Sequence, residues 1–212
     1  MKGANPIIDR VRRALGRQAG EPVPPRPPIV PPRTPGSPEA ELEKLLDEIE
    51  ALSGETARIQ EEDVGASLER LVADHSIERA TLWSTPRLNE LGVEAHLARV
   101  GVEIVPADAD KHALARCDLG VTEADFALPE TGTLGLLASA TKPRAVSLLP
   151  RVHLVILSPD ALVADLHQVF EQAREHPYLV FIGGPSRTAD IELTLTLGVH
   201  GPCAACVWAL FP

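Results

Sequence analysis

Aromatic side chains are scarce: four Phe, two Trp and one Tyr make up 3% of the 212 residues. So few rings argue against a stacking platform for single-stranded nucleic acid and against an aromatic-lined sugar cleft. Basic residues are outnumbered, 20 Lys and Arg against 30 Asp and Glu, which gives a formal charge of −10. A surface of that sign repels nucleic acid and anionic membranes, so neither is expected as a partner. No apolar run approaches the ~18–20 residues that a membrane span requires, so no span is expected. The N-terminal stretch lacks the unbroken apolar core and small-residue cleavage site of a secretory leader. Three cysteines cannot all pair, which fits free thiols in a reducing compartment. These absences lead to the expectation of a soluble, cytoplasmic chain. A hydrophobic content of 44% over this length suffices for one ordinary domain core.

What is present is unevenly distributed. Residues 1–38 hold seven Lys or Arg against two acids, so the rest of the chain carries the negative charge. Ile7, Ile8, Val11, Ala14 and Leu15 recur at helical spacing with Arg10, Arg12, Arg13 and Arg17 between them, which predicts a basic amphipathic helix within residues 1–20. Such a helix either docks on a partner or lies on its own domain. Nine of the 20 prolines fall between Pro22 and Pro38, and residues 21–38 therefore read as an extended polyproline tether. Residues 39–212 form the expected domain. It opens with Ser37 as cap, Pro38 at the first helical position, and an apolar stripe of Leu42, Leu45, Leu46, Ile49 and Leu52.

A second helix is expected over Gly65–Asp74, and then the pattern alternates. Strands are expected at Arg79–Ser84, Gly101–Val105, Cys117–Thr122, Gly132–Ala138, Val152–Leu157, Tyr178–Ile182 and Ala205–Leu210, with helices over Arg87–Ala98 and, after Ser158-Pro159-Asp160, through Ala173. Short apolar strands separated by helices predict an α/β fold, a mainly parallel sheet with helices on both faces and an N-terminal helical extension.

Ligands of open α/β sheets bind beyond the carboxyl ends of the strands, and two segments are expected there. One spans Gly120–Thr133. Glu130 is placed at a turn as a general base, nucleophile or acceptor; Thr131, Gly132 and Thr133 offer hydroxyls and a close backbone approach; Asp125 supports them. The same residues also suit a turn that satisfies its own backbone, and both readings stand. The other runs from Gly183 to Glu192. Gly183 and Gly184 end a strand, and a helix is expected to begin near Ser186 or Thr188 with Asp190 and Glu192 in its first turn. Its amides, with Ser186, Arg187 and Thr188, would hold a small anion. His153 and His200 are supporting candidates. Cys203 and Cys206 have C-x-x-C spacing with His200 nearby, but a zinc site would also need Cys117, and a redox motif should cap a helix; no metal site is expected.

Four segments together carry a resemblance. They are Glu130-Thr-Gly-Thr133, Leu148-Leu-Pro-Arg-Val-His153, Gly184-Pro-Ser-Arg-Thr-Ala-Asp-Ile-Glu192 and Leu197-Gly-Val-His-Gly-Pro202. In this order and spacing they closely resemble the lactate-utilisation protein C family, whose domain is called the LUD domain. The resemblance implies a fold of the NagB/RpiA/CoA-transferase-like kind. It also implies participation in oxidation of L-lactate to pyruvate beside iron–sulfur companion proteins. Cluster-binding cysteine runs are absent, so this chain is expected to hold no iron–sulfur cluster itself, and the cofactor is unknown. On this view the chain is an accessory or regulatory subunit with a pocket for a small anionic metabolite. The alternative is an enzyme, a CoA or acyl transferase or a sugar-phosphate isomerase, in which Glu130 reacts, by analogy with the strand-end glutamate of CoA-transferases.

Overall fold

A computed structural model describes residues 6–17, 22, 33–174, 176, 178–189, 195–198 and 200–211. The chain divides into two compact units, Met1–Pro31 and Pro32–Pro212. In the first, helix α1 spans Pro6–Ala14, and Arg12 pairs with Asp9 at 3.2 Å one turn earlier.

The second unit runs α2 (Pro38–Ala51), β1 (Glu55–Gln60), α3 (Val64–His75), β2 (Arg79–Leu82), α4 (Pro86–Glu90), α5 (Val93–Arg99) and β3 (Glu103–Ile104). It continues with α6 (Lys111–Leu114), β4 (Leu119–Glu123), β5 (Phe126–Leu128), β6 (Thr133–Leu137), α7 (Ala145–Leu148) and β7 (Val152–Leu157). Last come α8 (Leu166–Ala173), β8 (Leu179–Ile182), β9 (Arg187–Ala189), β10 (Leu195–Leu197) and β11 (Ala204–Phe211).

Six strands form one sheet in the order β1-β11-β7-β4-β2-β3, and every neighbouring pair is parallel. Alternation along the central strands divides the core. Leu154 and Ile156 of β7, with Cys206, Trp208 and Leu210 of β11, face Val64, Leu68 and Leu97 of α3 and α5. Val155, Leu157, Val207 and Ala209 face Leu42, Leu45, Leu46 and Ile49 of α2. Burial on both faces is why these strands read as continuous apolar runs. The start of α2 is as expected: the Ser37 hydroxyl accepts from the Ala40 amide at 3.3 Å, with Pro38 just inside. Each buried leucine of its stripe contributes about 1.5–3 kcal/mol of burial.

The structure corrects several expected elements. The helix over Arg87–Ala98 is two helices, broken where Gly92 takes a φ of 61°. The strands at Gly132–Ala138 and Tyr178–Ile182 leave the parallel sheet: β5, β6 and β8 form a separate antiparallel sheet. The helix expected near Ser186 is strand β9, paired antiparallel with β10. Nonlocal bonds decide this. The Ser186 amide donates to the Pro202 carbonyl at 2.8 Å, and Gly198 donates to the Ser186 carbonyl at 2.9 Å, so neither group is left for a helical turn.

Candidate functional site

Three of the four segments quoted above meet at one cavity of about 200 Å³. Ser147 and Leu148 end α7, His153 lies near the start of β7, and Phe181, Ile182, Gly183, Gly184 and Ser186 run out of β8. His200, Gly201, Pro202 and Ala205 lead into β11. His153 is paired with Ala205 across β7 and β11, close to where both parallel strands begin. The cavity therefore opens at the amino edge of the sheet, opposite to the carboxyl edge expected for both segments. Antiparallel β8 explains the placement. It pairs antiparallel with β6 in the second sheet and ends in Gly183 and Gly184, which line the cavity beside the starts of β7 and β11.

His153 is the most distinctive group here. It is 1% exposed, and its Nε2 lies 2.8 Å from the Thr122 hydroxyl on β4, itself fully buried. Among the described residues Nδ1 has no hydrogen-bond partner. Burial pushes the imidazole pKa down to about 3, so the ring is neutral at physiological pH. Thr122 and His153 lie on neighbouring strands of the face covered by α7, where Gly120 makes room. A Cβ on Gly120 would sit 1.9 Å from the Val146 carbonyl oxygen. The cavity thus offers a neutral, pre-oriented imidazole, the Ser186 hydroxyl, an exposed His200, and an apolar wall from Leu148 and Phe181. The Ser147 hydroxyl is already committed to the Arg144 carbonyl at 2.9 Å.

The fourth segment adjoins this region without lining it. Gly132, at φ 57°, lies so close to α2 that a Cβ would come within 2.9 Å of the Glu48 and Ile49 backbone. Gly184, at φ 115°, approaches the next turn, where a Cβ would be 2.9 Å from the Leu52 carbonyl oxygen. A Cβ on Gly183 would lie 3.9 Å from Thr133 Oγ1, so the two turns are neighbours. Their side chains find partners within the fold. Thr131 Oγ1 donates to Thr133 Oγ1 at 2.8 Å, and Thr133 bonds back to the Thr131 carbonyl. Glu130 is half exposed and 3.7 Å from Lys44 Nζ. Arg187, expected to hold an anion, donates to the Leu52 carbonyl. Thr188 belongs to β9 rather than a helix start, and Asp190 lies outside the described residues. Asp125 is tied to the Leu137 amide at 2.7 Å and to Lys142, so it secures the β5–β6 sheet.

Two features escaped the sequence reading. Leu82, Trp83, Ser84, Pro106, Asp108 and Thr141 border a cavity of about 430 Å³ at the carboxyl edge, beyond β2 and β3. No motif marks it, since its walls come from three unrelated loops. The other is a clamp at Arg33, inside the expected tether. Its guanidinium pairs with Glu41, 8% exposed, and its Nε donates to the Ala164 carbonyl at 3.0 Å. Hydrogen bonds from Arg33 and the Gly36 amide hold the Glu41 pKa down to about 2.

The sequence model of the LUD domain matches residues 42–208. The chain is 33% identical over 151 residues to a "Lactate utilization protein C" of Halalkalibacterium halodurans, covering 66% of each chain. It is 30% identical over 172 residues to the protein of that name in Shouchella clausii, covering 76% of this chain and 75% of that one. In fold it is similar to the crystal structure of a DUF162 family protein from Deinococcus radiodurans. The TM-score is 0.63 at 22% identity, over 84% of this chain and all of the other.

Proposed function

Since the chain belongs to the LUD domain family, we propose that it serves lactate utilisation as an accessory or regulatory subunit, binding a small anionic metabolite in the His153 cavity. The observation that carries this reading is the convergence of three separate sequence segments on a single cavity that holds a buried, half-partnered imidazole. The names of the relatives supply the pathway. At about 200 Å³ the cavity lies below the roughly 300–1,000 Å³ of drug-sized sites, which suits a three- or four-carbon acid better than a whole coenzyme A or nucleotide. In the tautomer in which the Thr122 hydroxyl donates to Nε2, His153 presents Nδ1–H to a carboxylate, and Ser186 and the Gly201 backbone stand beside it.

The transferase alternative has less support. Glu130 is solvated, paired with Lys44 and outside this cavity, whereas a reacting carboxylate profits from a desolvated site. The accessory reading also assigns the basic helix α1 and its proline-rich tether to contact with an iron–sulfur companion. Truncation should stop at Pro31, because Arg33 is fastened to the domain.

Deletion of the coding sequence should block growth on L-lactate. The wild-type chain should restore growth and His153→Gln should not, although it folds. L-lactate or pyruvate should raise the melting temperature of the wild type and not of His153→Gln. Normal growth of the deletion strain would overturn the pathway assignment. Full rescue by His153→Gln, with unchanged ligand response, would overturn the cavity.

A further inference from the structure

Beside the amino end of β1, and apart from the His153 cavity, three potential ligand atoms of different chemistry face one another. Glu55 opens β1, His75 ends α3 and Cys206 lies on β11 directly opposite Glu55. His75 Nε2 is 3.5 Å from Glu55 Oε2, Cys206 Sγ is 3.6 Å from the same oxygen, and all three atoms lie within 4.8 Å of one another. Zinc bonds of ~2.0–2.3 Å at tetrahedral angles place neighbouring N, O and S ligands about 3.3–3.6 Å apart. Two of the three edges already match, and the third closes with a modest side-chain rotation.

We propose that Cys206 Sγ, His75 Nε2 and Glu55 Oε2 form a three-ligand site for a divalent cation of the zinc class, with the fourth position open to water. The same residues border a cavity of about 260 Å³ walled by Ser67, Arg70 and Asp74, which gives that water room. Three protein ligands with an open fourth position is the layout of reactive rather than purely structural zinc. A thiolate, an imidazole and a carboxylate select this cation class over magnesium or calcium, which favour oxygen alone. As the metal–sulfur bond forms, the thiol proton leaves to solvent. The site does not use the C-x-x-C spacing. Residues three apart on an extended chain project to opposite sides, and Cys203, which is exposed, donates to the Arg151 carbonyl at 3.1 Å.

Titration of the reduced full-length chain with Co²⁺ tests the assignment, because a cobalt–thiolate bond adds a charge-transfer band in the near ultraviolet. The wild type and Cys203→Ser should bind one Co²⁺ per chain with that band. Cys206→Ser should lose the band, and His75→Gln should weaken Co²⁺ affinity by more than ~10-fold, at least the loss expected for an outer partner. His75 sits at a helix end and its replacement leaves the sheet packing intact, so it decides the matter if Cys206→Ser folds poorly. A wild type without the band overturns the proposal. So does a band that survives in Cys206→Ser or disappears in Cys203→Ser, or Co²⁺ affinity unchanged in His75→Gln.

Discussion

Acid should destabilise this domain through one histidine, by an amount that follows from its burial. His153 has its pKa lowered from 6.5 to about 3 in the folded chain. Between those values the unfolded chain binds a proton that the folded chain does not, so stability rises with pH across that window and falls as acid is added. At about pH 5 the unfolded imidazole lies 1.5 units below its ordinary pKa, and at 1.36 kcal/mol per unit the loss relative to about pH 7.5 is about 2 kcal/mol. His153→Gln keeps a polar partner for Thr122 but has no proton to gain. Urea unfolding of both proteins at the two pH values isolates the effect, because every other titrating group is common to both. The wild type should lose about 2 kcal/mol more than the variant between about pH 7.5 and pH 5. Equal losses would show that the imidazole is solvated or charged in the native state, and would remove the neutral donor from the proposed cavity.

The Arg33 clamp gives a second pH window with the same sign. Glu41 is held at about 2 against an ordinary 4.5, so its contribution is complete above 4.5 and is lost as pH falls through 2. Arg33→Met should cost about 1–3 kcal/mol near neutrality, read by denaturant unfolding, and should flatten that acid limb. Gly120→Ala forces a methyl group towards the Val146 carbonyl and should destabilise by ~1–3 kcal/mol or more, as α7 is pushed off β4. Thr122→Val removes the partner of His153 Nε2 and should cost about 1–2 kcal/mol in a thermal melt while leaving the circular dichroism unchanged.

Much of the fold was legible where a local signal and a burial signal coincided. The Ser37-Pro38 start and leucine stripe of α2 combine a cap with a period of 3.6, and β7 is six buried apolar or histidine residues in a row. β1 leaves little signal because Glu55–Gln60 is an edge strand with no buried residue, and its sequence mixes charged, polar and apolar side chains without a clear period. The segment Gly184–Thr188 was misjudged because Gly, Pro and Ser before acidic residues suit a helix start and a hairpin entry equally. The contacts that choose between them, to Pro202 and Gly198, lie more than ten residues away. For the site, residue types were readable and direction was not. His153, Gly183, Gly184, Ser186 and His200 do share a cavity, but which edge of the sheet they occupy depends on β8 running antiparallel. The pairing of Cys206 with His75 and Glu55 spans 151 residues and left no local trace.

The position of β11 has a consequence for how the chain is made. Among the described residues β1 pairs with β11 alone, and β11 also covers the flank of β7. While the ribosome is still translating the β9–β10 hairpin, β1 has no partner and one edge of β7 is bare. The sheet can close only when Ala204–Phe211 clears the exit tunnel, so β1 must wait for a partner 151 residues further along the chain. In that interval an apolar strand edge is exposed, the circumstance in which nascent chains most depend on chaperones.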